Sequence, residues 1–354
     1  MKLVLLMVVR DDADVVDAQI AFNLNAGVDF VIATDHASED GTGDILESYV
    51  RDGYLRRLSE RGDAQDTAWR RKMARLAVDE HGADWVIDSE ADEFWMPRAE
   101  SIKDVLVAIP PRYGIVQALA RVFLPRPDDG RFFAERMTAR RPLSDIREDE
   151  STGKLEWALR PIQRATGNMV IGADRDATLD GRVPLRAWYP VEALRFPVRD
   201  LEQAGRRVAR RSGPRDARSR IEQELLAAEK RGELHERWAD LVVEDEELER
   251  RTSDGSLVLD ERLRDALRRL EGAAAAGGNG SRRFAFPTDG SGHLGLLAPT
   301  VVDDVAYAGE CAAVREVDFE PLQARIAELE KRISMLEARF WPRVRRKLNR
   351  IVRR

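Results

Sequence analysis

The chain has 354 residues, of which 34% are charged, and its formal net charge is −6. That acidic balance argues against a general nucleic-acid binder. The length fits one large α/β domain with additions, or two domains, and no stretch is apolar for long enough to span a bilayer. A single cysteine, Cys311, excludes an internal disulfide framework and fits a reducing compartment.

Residues 3–9 form a continuous apolar run that predicts a central parallel strand covered on both faces. The run is too short for a signal-peptide core, lacks a small-residue cleavage site, and leads straight into Arg10-Asp11-Asp12. Asp14 is a candidate N-cap for a helix over 15–26, which Gly27 ends. A second short strand over 30–33 leads into Thr34-Asp35-His36-Ala37-Ser38-Glu39-Asp40-Gly41-Thr42, a loop rich in turn formers. A helix over 44–51 and a strand over 54–58 follow. Strand, helix, strand, helix, strand is the pattern of a doubly wound half-sheet. The segment 66–80 reads as a helix, with Trp69, Met73, Leu76 and Ala77 on one face and Arg70, Arg71, Lys72 and Arg75 near them.

The stretch Trp85-Val86-Ile87-Asp88-Ser89-Glu90-Ala91-Asp92-Glu93-Phe94-Trp95 organises the rest. It begins as a buried strand and ends in acids, which are expected just past the carboxyl end, where open α/β sheets bind ligands. Glu90-x-Asp92 offers two carboxylates on one side of an extended turn. Such a pair suits a hard divalent cation that shares its shell with substrate phosphates. The bland alternative is an acidic surface turn, against which stand the preceding strand and the apolar anchor Phe94-Trp95. Further on, a helix over 102–109 and a strand over 115–123 precede a loop-like stretch over 125–141. Short strands are expected around 157–176 and over 188–197.

From Arg199 the composition changes. Residues 201–272 form a charged, helix-favouring region, 273–281 an Ala/Gly/Asn linker, and 282–317 a mixed segment with no legible chemistry. Leu322, Ile326, Leu329, Ile333, Leu336 and Phe340 alternate spacings of four and three, an a/d seam within a predicted coiled-coil helix over 318–341. The seam suits self-association through 322–340, and its alternative is a helix packed on its own domain. The tail over 342–354 is basic and amphipathic, with Val344, Leu348 and Ile351 on one face and Trp341 before it. This pattern fits an anionic membrane surface.

The ordered motifs Arg10-Asp11-Asp12-Ala13-Asp14, Thr34 to Thr42, Gln65 to Met73, and Asp84 to Trp95 resemble those of family 2-like glycosyltransferases with a GT-A fold. The resemblance covers about residues 1–200, with a donor half to about 110 and an acceptor half from 111. It implies an α/β fold, a Rossmann-like α/β/α sandwich with a mainly parallel mixed sheet, here followed by a C-terminal helical extension and a short coiled coil. It also implies a hexosyltransferase-like enzyme using a nucleotide sugar, most simply a UDP-sugar, with Mn²⁺ or Mg²⁺. The acceptor would be a glycan or a lipid-linked glycan in cell-surface polysaccharide synthesis, and the location cytoplasmic, peripheral on the inner membrane face. Carried over motif by motif, Val9, Arg10 and Asp12 would line the base pocket. Asp35 would contact the uracil or ribose, and Lys72 or a neighbouring arginine would reach the diphosphate. Asp92 and Glu90 would hold the metal, with Glu90 nearer the ribose. A cation bridging the phosphates would neutralise the charge that builds on the leaving group.

The chain departs from the family pattern in three places. Glu90 replaces the usual first aspartate. Gly172-Ala173-Asp174-Arg175-Asp176 stands where relatives carry Gly-Asn-His. Arg195-Phe196-Pro197 stands where they carry a histidine before Phe-Pro. Arginine cannot ligate a metal but can pair with phosphate. An inverting transfer needs a carboxylate base, for which Glu93, Asp174 and Asp176 are the candidates. A catalytically altered scaffold at the membrane is the alternative function. A carboxylate-pair glycoside hydrolase fits less well, because it needs no strand-turn donor motifs.

Overall fold

The fold is that of a computed structural model, which describes residues 1–61, 66–143, 159–167, 169, 180–209, 220–277, 282–287, 294, 307–316, 319, 323, 325–333 and 335. In chain order the elements are β1 (Leu3–Val9), α1 (Val16–Asn25), β2 (Phe30–Asp35), α2 (Thr42–Arg51), β3 (Leu55–Ser59), α3 (Asp66–Asp79), β4 (Trp85–Glu90), β5 (Glu93–Pro97), α4 (Ile102–Val107) and β6 (Tyr113–Val122). Then come α5 (Phe133–Arg136), β7 (Ala139–Arg140), β8 (Leu159–Arg164), β9 (Val183–Pro184), β10 (Val191–Arg195), α6 (Leu201–Ala209), α7 (Arg220–Glu229), α8 (Leu234–Leu241), α9 (Asp245–Ser253), β11 (Val258–Leu259) and α10 (Arg262–Ala276).

β1 shows why the first run is apolar without alternation. Leu3, Leu5, Met7 and Val9 pack into the main core with α1, while Val4 and Leu6 point the other way, against Met73, Ala74 and Ala77 of α3. Each face is covered by a helix, so both residue parities must be apolar. β1, β2, β3 and β4 are mutually parallel. One sheet runs β3-β2-β1-β4-β8-β6-β10-β5, with β9 beside β6. β8 is antiparallel to both its neighbours, and β5 is antiparallel to β10. The expected donor and acceptor halves therefore share one sheet, mainly parallel and mixed in its second half. That is the α/β architecture expected.

Two local expectations change. Asp14 does not cap α1: the N-cap is Val15, without a side-chain cap, and Asp14 pairs with Arg199 instead. An ion pair to a buried guanidinium outweighs a helix-end hydrogen bond. The stretch 273–281 begins as helix, since α10 runs to Ala276 and ends at Gly277. Alanine is the best helix former, so low complexity there does not mean linker. Gly27, at φ +110°, follows the end of α1. A Cβ there would sit 3.2 Å from that of Ser101, where the chain enters α4.

The second half has a buried ionic cluster on the sheet. Arg121 donates to Glu192 at 2.6 Å and pairs with Glu310, while Arg262 donates to Glu192 at 2.6 Å and to Asp260 at 2.7 Å. Arg140 joins Asp260 at 2.9 Å to Glu310 at 3.0 Å. Burial pushes the Glu192 carboxyl up, but Arg121 and Arg262 win and hold it well below the usual range. Glu310 belongs to a helix over 307–316, whose Val314 packs with Leu119, Leu143, Leu159 and Tyr189. Phe286 packs beside Tyr49 and Tyr54. The segment that looked featureless in sequence thus supplies anchors at both ends. Among the described residues no helix is long and apolar enough to cross a membrane. Asp174, Asp176 and the basic tail lie outside the described residues.

Candidate active site

The strand order reverses between β1 and β4. β1 leads outward to β2 and β3 on one side, and β4 returns to lie on its other side. The crevice at such a reversal, outside the carboxyl ends, is where open α/β sheets take ligands. Register brings the ends level: Val9 lies opposite Asp35, and Val8 lies between Thr34 and Glu90. β10 is parallel to β6 and ends at Arg195, which pairs across to Glu93, the first residue of β5. Two motif sets 100 residues apart in sequence meet there.

The two loops after β1 and β2 brace each other. Asp11 and Ala37 both sit at φ 51°, a region costly for residues other than glycine. The Asp11 N–H donates to Ser38 Oγ at 3.0 Å, and the Glu39 N–H donates to Asp11 Oδ1 at 2.6 Å. Ala13 N–H reaches Asp40 at 3.0 Å, and Asp12 N–H reaches Thr42 Oγ1 at 2.8 Å. Partial burial raises the Asp40 carboxyl, but the Thr42 hydroxyl and the N–H groups of Ala13 and Thr42 hold it below the ordinary aspartate range. Of the expected base-pocket residues, Val9 is a buried core residue whose carbonyl accepts from His36 N–H. Arg10 donates its N–H to Asp12 at 3.1 Å. Asp35 is nearly buried, with one oxygen on Arg57 at 2.5 Å and the other accepting Ser38 N–H at 3.0 Å. Asp35 therefore fixes the loop shape.

The acids begin earlier than expected: Asp88 and Glu90 are the closing residues of β4 itself, not residues beyond it. The strand accommodates them because one guanidinium serves both. Arg70 pairs with Asp88 and donates to Glu90 Oε1 at 2.8 Å. Arg70 continues the stripe Met73, Ala74 and Ala77 on the core-facing side of α3, and is itself buried. Lys72 points elsewhere, to Glu60 at 2.9 Å, and is more than half exposed. Beside Arg70, Trp69 meets His36 edge-on at 4.7 Å.

Asp92 is fully buried; burial works against the Arg199 charge, but Asp14, and after it Asp12 and Asp92, hold that guanidinium protonated. Arg199 donates to Asp14 at 2.5 and 2.9 Å, tying the chain after β10 to the loop after β1. Glu93, only 1% exposed, accepts from Arg160 at 2.9 Å and from the Glu90 N–H at 3.1 Å, and pairs with Arg195 at 2.8 Å. Held by two arginines and a backbone N–H and closed to solvent, the Glu93 carboxylate is not presented to an acceptor hydroxyl. Phe94 and Trp95 are buried as anchors, with Trp95 Nε1 donating to Ser89 Oγ at 3.0 Å.

Four carboxylates, Asp88, Glu90, Asp92 and Glu93, thus meet four guanidinium groups, those of Arg70, Arg160, Arg195 and Arg199. Among the described residues no three metal-ligating side chains form a ready-made cage. The donor set still suits a hard cation: Glu90 is a third exposed and Asp92 lies two residues on, and Mg²⁺-type sites use one or two carboxylates with substrate phosphates.

No protein-family model matches the chain, and no curated protein is significantly similar to it. Among solved structures the chain is similar to S. aureus TarS 1-349 in complex with UDP-GlcNAc, at 13% identity over 92% of each chain with a TM-score of 0.34. The same fragment in complex with UDP gives 13%, 92% of each chain and 0.33. A longer TarS structure gives 13% identity and a TM-score of 0.33 over 90% of this chain, and this chain spans 55% of its length. A likeness this distant carries nothing about fold or activity here.

Sequence reading named Glu90, Asp92, Glu93 and Arg195, which the fold brings together. It missed Asp14, Asp88, Arg160 and Arg199 as members. The one signal available was that each arginine is a charge expected among buried apolar neighbours, and such charges need partners.

Proposed function

We propose that the chain is a glycosyltransferase that binds a nucleotide sugar, a UDP-sugar most simply, at the carboxyl edge between β1 and β4. The observation that supports it is the convergence of Arg10–Asp12, Glu90-x-Asp92 and Arg70 on the sheet's reversal point. In this reading Glu90 and Asp92 hold a divalent cation together with the donor diphosphate. The cation supplies neutralisation of the leaving nucleoside diphosphate. Arg70 shields Asp88 and Glu90 from repelling the donor, and Arg199 keeps Asp12 and Asp14 from doing so. Glu93 positions the turn by holding Arg160, Arg195 and the Glu90 N–H. The base is then Asp174, Asp176 or another group of the acceptor half. A glycan or lipid-linked acceptor and an inner-face membrane location through the basic tail belong to the same proposal.

The self-neutralised acid turn and the engaged Glu93 favour one second reading, a scaffold that binds a donor without turning it over. The two separate in one assay: nucleoside diphosphate release from a panel of UDP-, GDP- and dTDP-sugars by the full chain, with Mn²⁺ or EDTA. Release with one donor supports the enzyme. Tight binding of a donor without release, unchanged in Asp92→Ala, supports the scaffold.

A further inference from the structure

The helix over 325–333 carries Ile326, Leu329 and Ile333 at 55, 42 and 55% exposure. Isoleucine and leucine side chains that open to water, at spacings of three and four, form an apolar stripe that is uncovered among the described residues. Set in a heptad, Ile326 and Ile333 take position a and Leu329 takes d, and the sequence alone continues the pattern with Leu322 and Leu336 at d and Phe340 at a, which lie outside the described residues. β-branched residues at a with leucine at d favour two parallel strands over three or four.

The flanking charges single out the partner. Within 322–340 position g is arginine, at Arg325, Arg332 and Arg339, and position e is Gln323, Glu330 and Glu337. In a parallel pair each g residue faces the e residue five positions later on the other helix. Arg325 then faces Glu330, and Arg332 faces Glu337, in both directions. In an antiparallel pair g faces g and e faces e, so arginine would meet arginine and glutamate glutamate. Within one chain Glu328 holds both arginines, Arg325 at 2.6 Å and Arg332 at 3.4 Å, in exposed contacts that cost little to exchange. We infer that this helix is the interface for a second copy of the same chain, joined as a parallel, in-register, two-stranded coiled coil.

The test is sedimentation equilibrium of the full chain from low to high micromolar concentration. A species of twice the 40.0 kDa chain mass is expected. The double variant Ile326→Lys/Ile333→Lys should remain monomeric. The charge variant Arg325→Glu/Arg332→Glu should weaken dimerisation at least tenfold, as should Glu330→Arg/Glu337→Arg, and mixing the two should restore a dimer. Direction is read by Ile326→Cys in a Cys311→Ser background, which should oxidise to a covalent dimer. A wild-type chain that stays monomeric throughout overturns the inference, as does a trimer or larger species. So does a dimer that ignores the charge variants or that fails to cross-link through position 326. Far-ultraviolet circular dichroism of each variant shows that the body remains folded.

Discussion

At Arg70 a guanidinium stands on the core-facing stripe of α3 and satisfies both Asp88 and Glu90. Removing it in Arg70→Ala takes the shared guanidinium from two partly buried carboxylates. A loss of about 1–3 kcal/mol is expected in chemical denaturation, less than for a fully buried pair because Glu90 is a third exposed. The same variant should bind Mn²⁺ more tightly in the absence of nucleotide, since a cation then takes the place of the arginine. Glu93→Gln should act on stability, costing about 3–5 kcal/mol by removing the buried negative charge that Arg160 and Arg195 face. If Glu93 were instead the acceptor base, that variant would lose turnover with its denaturation midpoint intact. Asp40 gives the pH prediction. Its folded-state carboxyl lies below the ordinary aspartate range, so its bracing of the two loops is fully present above that range. The bracing is lost as pH falls through the depressed value. Stability of wild type relative to Asp40→Asn, followed by urea denaturation from neutral pH down to acid, should therefore converge only on the acid side. At this scale the clustering of Glu90, Asp92 and Glu93 was legible because they stand within four residues at the end of an apolar run. Arg160 and Arg199 were not, because nothing local to either marks its partner: Glu93 lies 67 residues before Arg160, and Asp14 185 residues before Arg199.

The elements of the first half were legible almost to the residue. β1, β4 and α3 each announce themselves by a run or a period that burial on known faces demands. β5 and β8 were harder. β5 follows β4 after a turn of two residues yet joins the far edge of the sheet, and β8 runs antiparallel between two strands that are themselves parallel to β1. Pairing order of that kind is fixed by tertiary packing and leaves no local period. The helix over 307–316 was missed for a related reason: its anchors Tyr307, Glu310 and Val314 are few, and one of them is charged. Glu310 nevertheless closes the cluster of Arg121 and Arg140. Glu310→Gln should cost about 3–5 kcal/mol. It should also expose the segment from 307 onward to limited proteolysis before the rest of the chain unfolds.

For the whole molecule, the sheet body and the C-terminal helix answer different questions. The body carries the proposed donor site at the carboxyl edge of its sheet, and the heptad helix carries the proposed interface. In a parallel pair the two basic tails leave from the same end, so their attraction for anionic lipid would add within one particle. Vesicles rich in phosphatidylserine should retain the wild-type chain more strongly than Ile326→Lys/Ile333→Lys, and the difference should shrink as salt is raised. Equal retention would separate the tail from dimerisation. The donor site is the central claim, and thermal shift of the full chain tests it most directly, with UDP, GDP, CDP and dTDP each in Mn²⁺, Mg²⁺ or EDTA. A rise in melting temperature with one nucleotide, dependent on the metal and abolished by Asp92→Asn, is the predicted result. No shift with any nucleotide under any condition would contradict it.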